Sequence, residues 1–115
     1  MPIADLQRKP TEAAETSETI RNRVRTARIR QEKRFKGMGI RTNKEMSVKQ
    51  IDTLCPLDRA SEALLRQAVD RLGLSARSYH RTIKVARTIA DLAGDEKITA
   101  GHIAEALQFR QNIRG

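Results

Sequence analysis

The 115-residue sequence predicts an all-α fold, a long N-terminal helix followed by a compact helical bundle. Three observations predict it. Apolar residues recur at spacings of three and four, and no alternating run is long enough for a useful strand. The apolar supply is mostly Leu, Ile, Val and Ala, with two Phe, one Tyr and no Trp, which suits packed helices better than a sheet. Ser, Thr, Asp and Gly fall where helices start and stop.

Residues 1–16 are polar, carry Pro2 and Pro10, and read as a flexible entry segment. Residues 17–115 read as one domain. Its first element is a basic helix over about 17–35, capped by Ser17 with Glu18 in the first turn. Ile20, Val24, Ala27 and Gln31 form its narrow apolar stripe, with Phe35 near the end and Gly37 and Gly39 as stops. Residues 36–46 form a loop, and a helical bundle occupies 47–113. Ser47 and Gln50 have capping-box spacing, Val48, Ile51 and Leu54 make a short apolar face, and Pro56 ends that helix. Asp58 opens the next helix. Its broad stripe runs through Leu57, Ala60, Leu64, Leu65, Ala68, Val69 and Leu72 to a stop at Gly73. Ser75 caps a helix that buries Tyr79, Ile83, Ala86, Ile89, Ala90 and Ala93 and ends at Gly94. Thr99 caps the last helix, with Ile103, Ala106 and Leu107 facing inward and Phe109 or Arg110 joining them. No internal repeat of roughly 20–50 residues is visible.

The formal charge of +9 and the isoelectric point near 10.6 favour an anionic partner: nucleic acid, nucleotide phosphate, an acidic protein or a membrane surface. The plain alternative is a soluble protein that is merely basic. Cys55 is the only cysteine, so an intramolecular disulfide is excluded and a reducing compartment is expected. The opening MPIADLQRKP lacks the apolar run of a signal peptide, and no stretch approaches the roughly 20 apolar residues of a membrane span. A cytoplasmic protein without membrane association is the expectation.

Two basic clusters stand out. In the first, Arg21, Arg23, Arg25, Arg28, Arg30, Lys33 and Arg34 are offset within their helix only by Glu18 and Glu32. Arg21, Arg25 and Arg28 make one edge, and Arg23, Arg30 and Arg34 another. Such a helix either lies against phosphates, which the guanidinium fork suits, or presents a solvated face. In the second cluster, Arg77, Arg81, Lys84 and Arg87 all precede Asp91, the first acid of their helix. Arg77, Arg81, Lys84 and Thr88 share one face. Arg77 sits in the first turn after Ser75, where a cation opposes the helix dipole at a cost of some tenths of a kcal/mol. An anion shared by Arg77 and the free N–H groups of that turn would offset the cost. The alternative is a neighbouring carbonyl or carboxylate.

Other chemistry is mostly absent. There is no GxxxxGK[ST] loop, so the chain alone is not expected to cradle a triphosphate. His80 and His102 lack Cys or acidic partners at metal-ligand spacing, and no metal site is expected. Cys55, before Pro56 on an apolar edge, reads as a small buried hydrophobe. No carboxylates pair as an acid/base couple, and with so few aromatics single-strand binding by stacking is disfavoured.

The stretches SETIRNRVRTARIRQEKRF (17–35) and LDRASEALLRQAVDRLGLSARSYHRTIKVARTIADLAGDEKITAGHIAEALQFR (57–110) resemble the C-terminal domain of the magnesium-chelatase-related AAA+ ATPases of the ComM/YifB type. LSARSYHRTIKVARTIADL is the most specific part. The resemblance implies that 17–115 is a helical lid on an ATPase core, in a hexameric, DNA-dependent motor that uses ATP and Mg and acts in branch migration. It implies a sensor-2 role, reaching the γ-phosphate, for Arg77 in LSAR. Arg81 and Lys84 then either extend the phosphate-facing surface or contact an adjacent subunit. Walker A, Walker B, sensor 1 and the arginine finger are missing from these 115 residues, so the chain is an excised domain or a truncated relative, with no cofactor of its own. The partners implied are the ATPase core, neighbouring subunits and DNA. The alternative functions are a stand-alone nucleic-acid-binding module using Arg21, Arg25, Arg28 and Arg30, and a module that docks its basic helix on an acidic protein.

Overall fold

The computed structural model describes residues 3–114, with side chains described for 17–109. Among these residues five α-helices follow in order: α1 (Ile3–Arg34), α2 (Val48–Leu54), α3 (Arg59–Leu72), α4 (Ala76–Ala93) and α5 (Ala100–Arg114). A 3₁₀ turn, Asn43–Glu45, lies between α1 and α2. The only strand-like pairing among the described residues is a single bridge between Leu57 and Ile98. The all-α prediction therefore holds. The side chains of 1–16, for which a flexible segment is expected, lie outside the described residues.

Local signals set most boundaries. Ser47 Oγ accepts from Gln50 N–H at 3.2 Å while Gln50 Oε1 accepts from Ser47 N–H at 2.9 Å, closing the capping box. Asp58 Oδ1 accepts from Ser61 N–H at 2.7 Å and starts α3, and hydrogen bonding from the Ser61 side chain and backbone holds the Asp58 carboxyl below its ordinary pKa. Gly73 and Gly94 take left-handed conformations, φ 63° and 79°, and stop α3 and α4. The last cap differs from a simple Thr cap. Thr99 N–H donates to His102 Nδ1 at 2.9 Å, and His102 Nε2–H donates to Asp95 Oδ2 at 2.8 Å. The imidazole plays the part that Gln or Glu plays in a capping box, and it fixes the turn between α4 and α5.

Helix α4 is the centre of the domain. Helices α1, α2 and α5 and the 3₁₀ turn pack on it, and α3 packs on α5. The core joins Phe35, Met46, Ile51, Leu65, Ile83, Ala86, Ile98 and Ile103, all buried. Cys55 is buried too, with Sγ 3.8 Å from Met46 Sδ. Burial pushes its thiol above the ordinary pKa, as an inert core residue requires.

Three expectations, at Ser17, Ala93 and Phe109, are corrected, Ala93 being exposed where the buried face of α4 is expected to include it. Ser17 lies inside α1 and does not cap it. The α1 stripe is covered only toward its C-terminal end: Ala27 and Phe35 are buried, whereas Ile20 and Val24 are exposed, because no other element reaches that part of the helix. Phe109 is 53% exposed, and the side chain of Arg110 lies outside the described residues. Helix α5 is anchored by Ile103, Ala106 and Leu107, and Phe109 falls beyond the covered arc.

Candidate functional site

The candidate site is the start of α4. Ser75 Oγ accepts from Ser78 N–H at 3.1 Å, so one first-turn donor is satisfied by the cap. The N–H groups of Ala76 and Arg77 make no protein hydrogen bond among the described residues. Arg77 is exposed, and its guanidinium has no hydrogen bond or ion pair there. The neighbouring carbonyl or carboxylate that would have explained its position is therefore not found among the described residues. His80, one turn on, holds the Ala76 carbonyl through Nδ1 at 2.9 Å, which places its proton on Nδ1, and meets Tyr79 edge to face with ring centroids 5.3 Å apart.

Arg77 opens onto a cleft of about 630 Å³ between α4 and the segment from Lys44 to Ile51. Arg81, Lys84 and His80 line it from α4, Lys44 from the 3₁₀ turn, and Met46, Val48 and Ile51 give it apolar walls. Among the described residues no carboxylate lines it. Lys84 Nζ donates to the Lys44 carbonyl at 2.9 Å, which ties the 3₁₀ turn to α4 but leaves the ammonium charge uncompensated. Arg81 is exposed. The structure thus brings Arg77, Arg81 and Lys84 to one wall. A cleft with this lining attracts anions.

Arg87 does not belong to that wall. It is 3% exposed, and its guanidinium donates to the carbonyls of Glu96 at 2.7 Å and Asp95 at 2.8 Å and lies 3.1 Å from Asp91 Oδ1. Counting Arg87 among unpaired charges is corrected by this burial. Asp91, fully buried, also receives a two-pronged contact from Arg34: Nη2 to Oδ1 at 2.7 Å and Nη1 to Oδ2 at 2.9 Å. Asn43 closes the cluster. Its Nδ2 donates to Asp91 Oδ2 at 2.9 Å and to Thr88 Oγ1 at 3.1 Å, and its Oδ1 accepts from Arg34 at 2.8 Å. Asn43 N–H donates to Gln31 Oε1 at 3.0 Å. Burial by itself would raise the Asp91 pKa. The hydrogen bonds from Arg34 and Asn43 and the charges of Arg34 and Arg87 outweigh it and hold the carboxyl below the usual range.

This cluster is what docks α1, and sequence reasoning missed it. The i,i+4 spacing of Arg87 and Asp91 was its one local signal. The first basic cluster is divided accordingly. Arg30 donates to the Gly94 carbonyl at 3.1 Å, at the C-terminal end of α4, and Arg34 is committed to Asp91. Arg21, Arg25 and Arg28 stay exposed, Arg21 making only a 3.4 Å contact to the Ser17 carbonyl. Among the described residues no three His, Cys, Asp or Glu side chains gather as a metal site, and no helix is long and apolar enough to cross a membrane.

Comparison with known proteins follows the same residues. The family model described as magnesium chelatase, subunit ChlI C-terminal, matches residues 14–110. The chain is 41% identical over 101 residues to the competence protein ComM of Haemophilus influenzae, covering 87% of this chain and 19% of that protein. It is 34% identical over 110 residues to the protein YifB of Escherichia coli, covering 96% of this chain and 21% of that one. It is 38% identical over 97 residues to a Mycobacterium tuberculosis protein, Rv2897c, covering 84% and 19%. No solved structure gives a significant match. The chain spans about a fifth of the length of these relatives. An all-helical domain matched over nearly its whole length to that family model belongs to the family: this chain is a magnesium chelatase ChlI-type C-terminal domain.

Proposed function

We propose that this domain is the lid of a ComM/YifB-like AAA+ ATPase, and that Arg77 reads the γ-phosphate of ATP held by the ATPase core. One observation carries the reading. Arg77 stands at the N-terminus of an 18-residue helix, exposed and without a partner among the described residues. A cation placed against a helix dipole, beside free N–H groups, lacks its anion. A phosphate supplied by another domain is that anion. The chain alone then does not hydrolyse ATP, because Mg and the remaining phosphate contacts come from the core. Arg81 and Lys84 line the same cleft and add positive potential. Lid closure over nucleotide would be a rigid-body movement passed between subunits of a hexamer. The name of the Haemophilus relative, a competence protein, supports a role in competence; a cytoplasmic DNA motor working by branch migration is the finer part of this proposal.

The test is nucleotide discrimination in a full-length family member that carries this C-terminal sequence. Arg77→Ala should weaken ATP binding about tenfold or more and leave ADP binding within twofold, because only the γ-phosphate contact is removed. Equal weakening of both nucleotides would remove Arg77 from the γ-phosphate.

A second reading rests on Arg21, Arg25 and Arg28, which stay exposed on α1. Under it the isolated chain binds duplex DNA with a steep salt dependence. About three phosphate contacts would give a log–log slope near −3. The lid reading predicts no detectable binding of the isolated chain near physiological salt, measured by fluorescence anisotropy.

A further inference from the structure

A second cleft, about 460 Å³, lies beside the first, along α4 toward α5. Its floor is Val85, Ile89 and Leu92 from α4 and Phe109 from α5. Val85 and Ile89 are half-buried against the core on their inner sides. Leu92 is only half-buried and Phe109 is 53% exposed, and neither belongs to the core cluster. Lys44, Arg81 and Lys84 form its rim, and no carboxylate lines it. Asp91, the acid nearest along α4, is fully buried with Arg34 and Arg87. Among the described residues the face therefore combines uncovered apolar surface with three cations and no carboxylate in its lining.

We infer that this cleft docks an amphipathic helix of a partner protein, with apolar residues on one side and acidic residues along its edge. The charge on the rim selects the sign of the partner. The floor selects its class: a nucleic-acid backbone gains nothing from Leu92 and Phe109, whereas an apolar helix face covers them. From Arg81 to Leu92 the cleft spans twelve residues of α4, which at about 1.5 Å per residue is a length of about three helical turns. An occupant of that length presents anchors at i, i+3 or i+4, and i+7 to the floor, and Glu or Asp to Arg81 and Lys84. This inference does not depend on Arg77 or on nucleotide.

The probe is a synthetic 14-residue helical peptide with Leu at those anchor positions and Glu on both flanks, titrated into the ¹⁵N-labelled 115-residue chain. Shift changes are expected at residues 81–92 and at Phe109. The double variant Arg81→Glu/Lys84→Glu should weaken the Glu peptide at least tenfold and favour a peptide with Lys at the same flanks. Arg81 is exposed and Lys84 is half-buried with its Nζ on the Lys44 carbonyl, so the melting curve and the dispersion of the amide spectrum establish that the variant is folded before the titration is read. Leu92→Ser should weaken the Glu peptide by a similar factor. Arg77→Ala should leave it unchanged, so failure here and failure of the nucleotide reading are separate results. The inference is overturned by no shift at millimolar peptide, by equal response to the Glu and Lys peptides, or by shifts mapping elsewhere. It is also overturned if a 20-base-pair duplex perturbs the same residues and Leu92→Ser leaves that response intact.

Discussion

Asp91→Ala should destabilise the domain by about 3–5 kcal/mol, the usual cost of removing one partner from a buried, hydrogen-bonded ion cluster. Loss of the carboxylate leaves Arg87, 3% exposed, beside Arg34 with nothing between the two charges. It also leaves the Asn43 amide without its buried acceptor. The penalty is a large part of the roughly 5–15 kcal/mol that holds a small domain together. A fall in melting temperature of at least about 10 °C is expected by calorimetry. Arg21→Ala is the control, and should leave the melting temperature within about 2 °C, since Arg21 is exposed.

The same carboxylate gives the stability a pH dependence of known sign. Asp91 has a folded-state pKa below its unfolded value of about 3.9. Near and below that value the folded chain binds fewer protons than the unfolded chain, so stability rises with pH. The Asp91 contribution is fully present above roughly pH 5 and is lost as pH falls through the depressed folded value. Asp91→Asn should flatten this acid limb and leave the part contributed by Asp58, whose carboxyl is also held low.

How much of this was legible depends on how local the signal was. The caps at Ser47, Asp58 and Ser75 and the stops at Gly73 and Gly94 are hydrogen bonds or dihedrals within a few residues, and each could be read from its neighbours. The Asp91 cluster joins Gln31, Arg34, Asn43, Thr88 and Arg87, and Asn43 reaches Asp91 across 48 residues. Nothing in the loop 36–46 marks Asn43 as a buried partner. Without it, Arg34 and Arg87 looked like surface charge. The apolar stripe of α1 is legible as a stripe, but periodicity does not say how far a neighbour extends along it: Ala27 and Phe35 are buried, and Ile20 and Val24 are exposed. For the site, the sequence placed Arg77, Arg81 and Lys84 on one face. Lys44 was absent from that picture because it comes from a different element, and it completes the positive wall.

The largest functional effect is expected at Arg77. If the parent protein is the proposed ATPase, charge develops on the transferring γ-phosphoryl group, and a preorganised guanidinium aimed at it would stabilise the transition state. Removing one such donor costs about 100–1,000-fold in turnover. Lysine keeps the charge but loses the fork, so Arg77→Lys should fall between wild type and Arg77→Ala. The fold should not register either change, because the exposed Arg77 side chain makes no hydrogen bond or ion pair among the described residues. On the proposed lid reading stability and turnover are separable: Asp91 should govern the first and Arg77 the second. The decisive measurement is steady-state ATP hydrolysis by a full-length family member carrying Arg77→Ala, paired with the melting curve of the isolated domain bearing the same change. The lid account predicts a loss of about 100-fold or more with the melting curve unchanged. Hydrolysis within twofold of wild type, with the domain folded, would contradict it.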